Sequence, residues 1–270
     1  MDTLGTTKPS KKAEQRISAR ERMAAERQRR AAAEKRRRGL IVGGAVVAVL
    51  AIAATVGIVV GNSSGGGTDD VRGRPVTPPP GAAGPGQTVI PDGKADAPAV
   101  LTVYEDFRCP FCDRVEKTLG PTIRQLADAG RFRVEYHIAS FLDDRLGGNG
   151  SRRAANAAAC AQQAGKFRDY HEVLFANQPD EDDDAFGKRS RLLDLAGKVD
   201  GLRTPAFEAC VNDSTFAPWV KAVEADFEAK DIGGTPTVLL DGRPVTVLDR
   251  SGDAVSPDAF RAQVDQALGT

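Results

Sequence analysis

An uninterrupted apolar run occupies residues 39–60, where 22 consecutive residues carry no charge and none is more polar than Thr55. At 1.5 Å per residue, a helix of this length would be about 33 Å long, which matches a bilayer hydrocarbon core of roughly 30 Å. A cleavable signal peptide instead has a shorter apolar stretch after a short basic segment. Because 38 residues precede the run, we predict an uncleaved transmembrane helix at 39–60.

This apolar run also divides the charges of the chain. The 37 basic and 37 acidic side chains cancel overall, but residues 1–38 hold 13 basic and five acidic ones, a net charge of +8. Basic residues 35–38 abut the apolar run, whereas its other flank is uncharged. The positive-inside rule therefore places 1–38 in the cytoplasm and everything after residue 60 outside it. We expect no nucleic-acid binding, because no aromatic residue accompanies the basic ones.

Residues 61–86 separate the apolar run from the rest of the chain and contain eight glycines and five prolines, half of the segment. This composition predicts a flexible linker that is stiffer across the three prolines 78–80. Such a linker would hold a domain away from the lipid surface. The folded domain is then predicted at 87–270, which is long enough to bury a core of its own.

The order of predicted elements in this domain indicates an α/β fold. A buried strand at 99–104 is followed by a helix, and a second strand with alternating polarity lies at 131–138. Only helical patterns occur in the next 80 or so residues, so we predict a helical insertion at about 145–231. An Asp-Gly turn at 241–242 predicts a hairpin whose arms are 237–240 and 245–248, and a capped helix ends the chain at 256–268.

Two cysteines, Cys109 and Cys112, stand at the predicted helix start that follows the first strand. A helix N-terminus has unpaired N–H groups and a partial positive charge, and both favour a thiolate. Pro110 suits the first helical turn, where no N–H donor is needed, and Phe111 completes the motif. In Cys-x-x-Cys motifs the first thiolate has a lowered pKa. We therefore expect Cys109 to be the attacking nucleophile and Cys112 to resolve the mixed disulfide.

The cysteine pair has two other interpretations, half of a zinc site and an inert structural disulfide. A zinc site needs further ligands at short spacing, but Cys160 and Cys210 each stand alone. The acidic run 180–184 lacks the alternating spacing of a calcium loop and is predicted to be a solvated loop. We therefore expect no metal site and no cofactor.

The remaining cysteines, Cys160 and Cys210, fall in two predicted helices of the insertion. Outside the cytoplasm, leftover cysteines more often pair than stay free. We predict a structural disulfide between them, with two buried free thiols as the alternative.

A proline preceded by two glycines lies between the helical block and the hairpin, in the sequence Gly233-Gly234-Thr235-Pro236. A proline at the start of a strand is compatible with a tight turn and a cis bond, and equally with an ordinary loop.

Together, these features resemble the DsbA-like branch of the thioredoxin superfamily, which comprises extracytoplasmic thiol–disulfide oxidoreductases. The resemblance covers most of the predicted domain and lies in four segments in the family's order, 91–98, 105–112, 165–178 and 234–237. It implies a thioredoxin fold interrupted by a helical insertion domain. Thr235 and Pro236 would face the cysteine pair and offer backbone groups to a substrate peptide. His171 would be a packing residue of an insertion helix.

The sequence departs from this family at two positions near the cysteines. Many members carry a buried glutamate six residues before the first cysteine that assists proton transfer from the second, and here that position is Val103. Glu105, Asp106 or water are the candidates to replace it. Phe111 stands where the strongest oxidants of the family have a histidine, and a phenylalanine cannot donate a hydrogen bond to the Cys109 thiolate.

These observations predict a membrane-anchored extracytoplasmic oxidoreductase, single-pass with its N-terminus in the cytoplasm, that forms or exchanges disulfides in exported proteins. Its partners would be unfolded or thiol-bearing exported proteins, the membrane through residues 39–60, and a membrane protein that recycles the cysteine pair. An extracytoplasmic thiol reductase is the first alternative, and a redox-inactive tethered peptide-binding module is the second. The chain is expected to be a monomer.

The reduction potential of the cysteine pair tests the expectation for Phe111. We expect equilibration with glutathione to give a potential more negative than the roughly −120 mV of DsbA, because no side chain at this position stabilises the thiolate. A potential as positive as that value would contradict the expectation.

Overall fold

The computed structural model of the chain describes residues 71–269. The predicted cytoplasmic segment 1–38, the predicted transmembrane helix 39–60 and the first part of the predicted linker lie outside the described residues. Within 71–269, no helix is both long enough and apolar enough to cross a bilayer.

A five-stranded mixed sheet forms the centre of the domain, with the strand order β1-β3-β2-β4-β5. β2 and β3 are parallel, and every other neighbouring pair is antiparallel. A parallel pair needs a crossover connection, and helix α1 supplies it. The strands are β1 (Ile90–Asp92), β2 (Val100–Glu105), β3 (Arg133–Ile138), β4 (Thr237–Leu240) and β5 (Arg243–Pro244).

Eight α-helices accompany the sheet within the described residues, and six of them form a continuous helical block between β3 and β4. The predicted helix at the cysteine pair, the helical insertion and the C-terminal helix are all confirmed. Their bounds are α1 (Pro110–Asp128), α2 (Leu142–Leu146), α3 (Gly150–Gln163), α4 (Phe167–Ala176), α5 (Arg189–Ala196), α6 (Pro205–Asn212), α7 (Ala217–Ala229) and α8 (Pro257–Leu268).

The alternation of side chains along β2 separates two environments. Tyr104 is buried on one face, where its ring stacks on His137 of β3 and lies 6.1 Å from the ring of Phe227 on α7. Glu105 points to the other face, where it reaches His171 on α4. Helix α1 packs against both α4 and α8. The face that carries Glu105 is therefore the one that meets the start of α1.

The predicted hairpin is present, but its second arm differs from the prediction. Asp241 and Gly242 form the turn with positive φ values of 48° and 76°, as an Asp-Gly turn requires. The paired arm is the two-residue strand β5, and one further bond joins the N–H of Val245 to the carbonyl of Val238 at 2.9 Å. Beyond Val245 the predicted arm 245–248 does not pair with β4 as a strand. The amide of Thr246 instead donates to Gln263 Oε1 of α8, so that helix takes the place of the partner strand.

Two short elements, the strand β1 and the helix α2, were not predicted from the sequence. The strand β1 has only three residues, which overlap the start of the matching segment 91–98, and it pairs with β3. Helix α2 has five residues, which is too short for its apolar spacing to be recognised.

The second half of the predicted linker lies against the helical block. Arg74 Nη2 donates to the carbonyl of Ser214 at 2.9 Å, and Gln162 Nε2 donates to the carbonyl of Pro80 at 3.0 Å. The indole N–H of Trp219 donates to the carbonyl of Gln87 at 2.7 Å. A 3₁₀ helix at Pro85–Gln87 ends this segment, and side chains of the helices supply partners for its backbone.

A disulfide joins two helices of the block. Cys160 on α3 and Cys210 on α6 have their Cα atoms 5.9 Å apart and are 50 residues apart in the chain. Both are buried. The bond closes a loop that includes α4 and α5.

Replacing both of these cysteines by alanine should lower the free energy of unfolding by about 4 kcal/mol, because a bridged loop of this length restricts the unfolded chain. Urea unfolding of the Cys160→Ala/Cys210→Ala chain, compared with the unmodified chain in the same redox state of Cys109 and Cys112, measures the difference. A loss below about 1 kcal/mol would show that the bridge contributes little.

Candidate active site

Cys109 and Cys112 stand at the junction between β2 and α1. Cys109 is the N-cap residue of α1 in an extended conformation, and Pro110 takes the first helical position. A proline at this position costs the helix no hydrogen bond, because an N–H here would have no partner within the helix. Cys112 lies one turn inside the helix. Both cysteines are free thiols, and Cys112 is the more buried of the two.

The Thr235-Pro236 loop lies directly against Cys109. The peptide bond between Thr235 and Pro236 is cis, and Cys109 Sγ is 3.3 Å from the Thr235 carbonyl oxygen. The sheet explains this contact over 126 residues, because β4 runs antiparallel to β2 and pairs Thr237 with Tyr104 near the end of β2. The structure therefore brings together the four residues Cys109, Cys112, Thr235 and Pro236 that the sequence analysis singled out.

The surroundings of Cys109 stabilise its thiolate. A hydrogen bond from the Cys112 thiol has the largest effect and lowers the pKa of Cys109 to about 6, although burial opposes ionisation. The Thr235 side chain and the backbone N–H groups of Cys112 and Phe111 lower this pKa further. At pH 7 most Cys109 thiols are therefore ionised.

Cys112 has the opposite character. Burial raises its pKa well above the usual value, and the neighbouring Cys109 and Glu105 raise it further. A thiol that keeps its proton can donate a hydrogen bond to the Cys109 thiolate. One anionic sulfur and one neutral sulfur therefore lie side by side, with different roles.

Phe111 occupies the outer surface of the motif. Its ring is 41% exposed and lies beneath the guanidinium of Arg114, 5.1 Å from the ring centroid. Arg114 in turn donates to the carbonyl of Gly252 at 2.9 Å, so the loop before α8 supports this side of the site. An exposed aromatic ring beside Cys109 offers apolar contact area to an approaching polypeptide.

The backbone before Cys109 is held by side chains that the sequence analysis did not single out. Gln178 Nε2 donates to the carbonyls of Phe107 and Cys109, at 2.9 and 3.0 Å. Asp106 accepts from the backbone N–H of Arg108 and Leu142 and from the hydroxyl of Ser151. The Asp106 carboxyl group is thus held by the backbone of the β2–α1 junction and by the helical block.

Arg108, next to Cys109, is a fully buried cation. Its Nη1 donates to Asp143 Oδ1 at 2.9 Å and to the carbonyl of Gly147, and its Nη2 donates to the carbonyl of Glu181. These bonds hold the acidic run 180–184 beside the active site. Within that run, Asp184 accepts from the N–H of Gly150 at the start of α3. No local pattern in the sequence marks Arg108, because its partners are 35 to 73 residues away.

His171 packs among aromatic rings, as the resemblance implies, but it also makes a polar contact. Its ring lies 4.8 to 5.7 Å from the rings of Tyr136 and Phe107. Its Nε2 is 2.5 Å from Glu105 Oε1. Val103 occupies the position of the family's buried glutamate, and Glu105 lies two residues later. Because side chains alternate along a strand, both point to the same face of β2, and this spacing in the sequence was the signal for Glu105.

The Cys109 thiolate lies beside the protonated Cys112 thiol and in contact with the Thr235 carbonyl. This arrangement is suited to exchanging disulfide bonds between proteins. The site thus defines the class of thiol–disulfide exchange proteins.

The comparisons with known proteins agree. The family model described as Thioredoxin matches residues 86–266. Disulfide bond formation protein D of Bacillus subtilis is 29% identical over 164 residues, which are 59% of this chain and 70% of that protein. Other curated relatives are matched over only 21–23% of their own length.

Two solved structures support the same relationship. Oxidised DsbA of Mycobacterium tuberculosis is 27% identical, with a TM-score of 0.56 over 67% of this chain and 93% of that one. Reduced DsbG of the same organism is 28% identical, with a TM-score of 0.58 over 70% of this chain and 91% of that one. The chain therefore belongs to the thioredoxin family, as a DsbA-like thiol–disulfide oxidoreductase. The thioredoxin-like fold with a helical block, expected from the sequence, is confirmed.

Replacing Cys112 by alanine should raise the pKa of Cys109, because it removes the hydrogen bond with the largest effect. A rise of one unit would slow alkylation of Cys109 at pH 6 about fivefold. Thr235→Val should cause a smaller rise in the same direction. The pH dependence of iodoacetamide alkylation measures both. An unchanged profile in Cys112→Ala would show that the helix N-terminus alone lowers the pKa.

Proposed function

We propose that this protein is a membrane-anchored, extracytoplasmic thiol–disulfide oxidoreductase that forms or exchanges disulfides in exported proteins through Cys109 and Cys112. The observation that carries this proposal is the position of the Cys109 sulfur, 3.3 Å from the Thr235 carbonyl and hydrogen-bonded to the Cys112 thiol. A substrate polypeptide that pairs with the Thr235-Pro236 loop has its own sulfur brought towards Cys109.

The oxidising half of the reaction starts from the Cys109–Cys112 disulfide. A substrate thiolate attacks Cys109 Sγ, the bond between Cys109 and Cys112 breaks, and Cys112 departs with the electron pair. A second substrate thiolate then attacks the substrate sulfur of the mixed disulfide. A disulfide forms in the substrate, which is oxidised, and Cys109 leaves as a thiolate, which is reduced. Cys109 is a good leaving group because its pKa is lowered to about 6.

The same lowered pKa supports a mild oxidant. A stabilised Cys109 thiolate favours the reduced form of the pair and therefore the oxidation of substrates. Thioredoxin has a corresponding pKa of about 7 and the strongly oxidising DsbA about 3.5. The value of about 6 for Cys109 lies between them, and Phe111 adds no hydrogen bond to the sulfur.

Three features support a location outside the cytoplasm. The Cys160–Cys210 disulfide is of the kind that persists in oxidising compartments. The uncharged run 39–60 has the length of a membrane span, and basic residues 35–38 flank one end of it only. In this proposal the catalytic domain acts as a monomer outside the membrane, and a membrane protein recycles its cysteine pair.

A trapping experiment tests the proposal in cells. The Cys112→Ala chain retains the Cys109 nucleophile but cannot resolve a mixed disulfide, so it should accumulate covalent adducts with exported proteins on non-reducing gels. The matched control is Cys109→Ala/Cys112→Ala, which should form none. The steady-state redox form of the unmodified chain separates the alternatives, because an oxidase keeps its pair oxidised and a reductase keeps it reduced.

Two results would contradict the proposal. Adducts at equal levels in the trapping variant and the control would favour a redox-inactive peptide-binding module. Adducts with cytoplasmic proteins only would place the catalytic domain on the wrong side of the membrane.

A further inference from the structure

A cavity of about 390 Å³ lies between α7 and the segment 140–152, which connects the end of β3 to the start of α3. Small-molecule sites in proteins typically have volumes of about 300–1,000 Å³, so the cavity has the size of a ligand site. None of the four active-site residues Cys109, Cys112, Thr235 and Pro236 lines it. The cavity is therefore separate from the site described above.

One wall of the cavity is a single face of α7. Its residues follow one another at intervals of one, three or four positions, which places them side by side on a helix. Two alanines leave room for a ligand, a valine adds apolar surface, and three charged side chains accompany them. These residues are Ala217, Val220, Lys221, Glu224, Ala225 and Glu228.

The opposite wall holds one carboxylate of this face in place. The N–H and the hydroxyl of Ser140 donate to Glu224 Oε2, at 2.5 and 3.3 Å. Asp144 and Arg152 also line this wall, and they form an ion pair with each other. Their charges therefore compensate one another, and Glu224 is anchored through one oxygen only.

Three charged groups of α7 have no partner for their charge. Glu224 Oε1 is buried and accepts no hydrogen bond from the described residues. Lys221 and Glu228 form no ion pair within 71–269. Lys221 and Glu224 are three residues apart, a spacing at which ion pairs form on helices, yet their charges do not meet here. A buried polar atom without a partner calls for an explanation.

The surroundings of Glu224 favour a positive group at its free oxygen. Burial raises the pKa of Glu224, and the carboxylates of Glu228 and Asp144 raise it further, against the two hydrogen bonds from Ser140. A cation beside Oε1 would stabilise the ionised form and offset these causes. The free oxygen of Glu224 is thus suited to an ammonium group.

The spacing of the charges along α7 indicates the size of a matching ligand. At 1.5 Å per residue, Lys221 lies about 4.5 Å from Glu224 and about 10 Å from Glu228 along the helix axis. An extended peptide of three residues spans roughly 10 Å. Its terminal ammonium and terminal carboxylate therefore match the separation between the acidic and the basic groups. The side-chain amide of Asn149, which also lines the cavity, is available to a peptide group between them.

We propose that this cavity binds a short peptide with free ends, whose terminal ammonium contacts Glu224 and Glu228 and whose terminal carboxylate contacts Lys221. The inference goes beyond the exchange function and does not depend on it, because binding is measured at equilibrium and involves neither cysteine of the pair.

Other classes of ligand fit the charges of the cavity less well. A phosphate or another multivalent anion would be repelled by Glu224 and Glu228. A metal ion would be repelled by the ammonium of Lys221. A purely apolar chain would leave Glu224 Oε1 without a partner, which is costly for a buried carboxylate. Only a ligand that carries both signs of charge satisfies both ends of the α7 face.

Calorimetric titration of the full chain, purified in detergent, with trialanine tests the proposal. A ligand of this size should bind with a dissociation constant of about 1 mM or below. N-acetyl-trialanine lacks the ammonium and trialanine amide lacks the carboxylate. Each should bind at least tenfold more weakly, because a hydrogen bond to a charged group contributes that much or more.

Two variants assign the charges to their residues. Glu224→Gln keeps an acceptor for the N–H of Ser140 but loses the negative charge. It should weaken trialanine at least tenfold and leave the affinity for N-acetyl-trialanine unchanged. Lys221→Met keeps the aliphatic stem, and it should weaken trialanine but not trialanine amide. The matched controls outside the cavity, Glu172→Gln and Lys94→Gln, should bind all three peptides as the unmodified chain does.

A third variant tests the place of binding. Ala225→Phe fills the cavity from the exposed side of α7, and it should abolish the binding of all three peptides. The pH dependence of Cys109 alkylation should stay unchanged in this variant, which shows that the domain is folded.

Four outcomes would overturn the proposal. The first is no binding of trialanine by the unmodified chain at roughly 10 mM. The second is equal affinity for the capped and uncapped peptides, which would indicate an internal stretch of polypeptide as the occupant. The third is an equal loss for all three peptides in Glu224→Gln, and the fourth is unchanged binding in Ala225→Phe. A chain that exchanges no disulfides would contradict the proposed function alone, since these titrations do not involve that reaction.

Discussion

The hydrogen bond between the thiols of Cys112 and Cys109 is the interaction on which the chemistry of the site depends. It has the largest effect on the pKa of Cys109, and it exists only while Cys112 keeps its proton. Burial behind the first turn of α1 keeps Cys112 protonated. The fold therefore creates two unlike thiols from two residues of the same type, because one caps the helix and the other lies one turn inside it.

The two sides of this pair have different surroundings. The outer side is formed by the Thr235-Pro236 loop and the exposed ring of Phe111. On the inner side, Glu105, Glu116 and His171 meet beside a cleft of about 170 Å³. The sheet keeps the sides apart, since β4 brings the loop to the end of β2 while alternate residues of β2 point in opposite directions.

Most elements of the domain were predictable because their signals are local. The apolar spacing of α1 and α3 and the Asp-Gly turn of the hairpin depend on neighbours within a few residues. The second arm of the hairpin is shorter than predicted, because beyond Val245 the N–H of Thr246 donates to Gln263 of the distant helix α8 instead of to β4. The choice among Glu105, Asp106 and water for proton transfer stays open. The sequence could not show how differently the two carboxylates are surrounded, because their partners His171 and Ser151 lie 66 and 45 residues away.

The sequence by itself determined the position of the two cysteines at the start of a helix and the likeness to DsbA-like oxidoreductases, and it predicted their attacking and resolving roles. These follow from spacing, since a Cys-Pro-x-Cys run at a strand-to-helix junction fixes two sulfurs relative to one helix end. The tertiary structure decided what surrounds the sulfurs: the 3.3 Å approach of Thr235 from 126 residues away, the anchoring of Arg108, and the meeting of Glu105, Glu116 and His171. Each of these involves residues that are far apart along the chain, and only the packing of α4, β2 and β4 around α1 brings them within reach of one another.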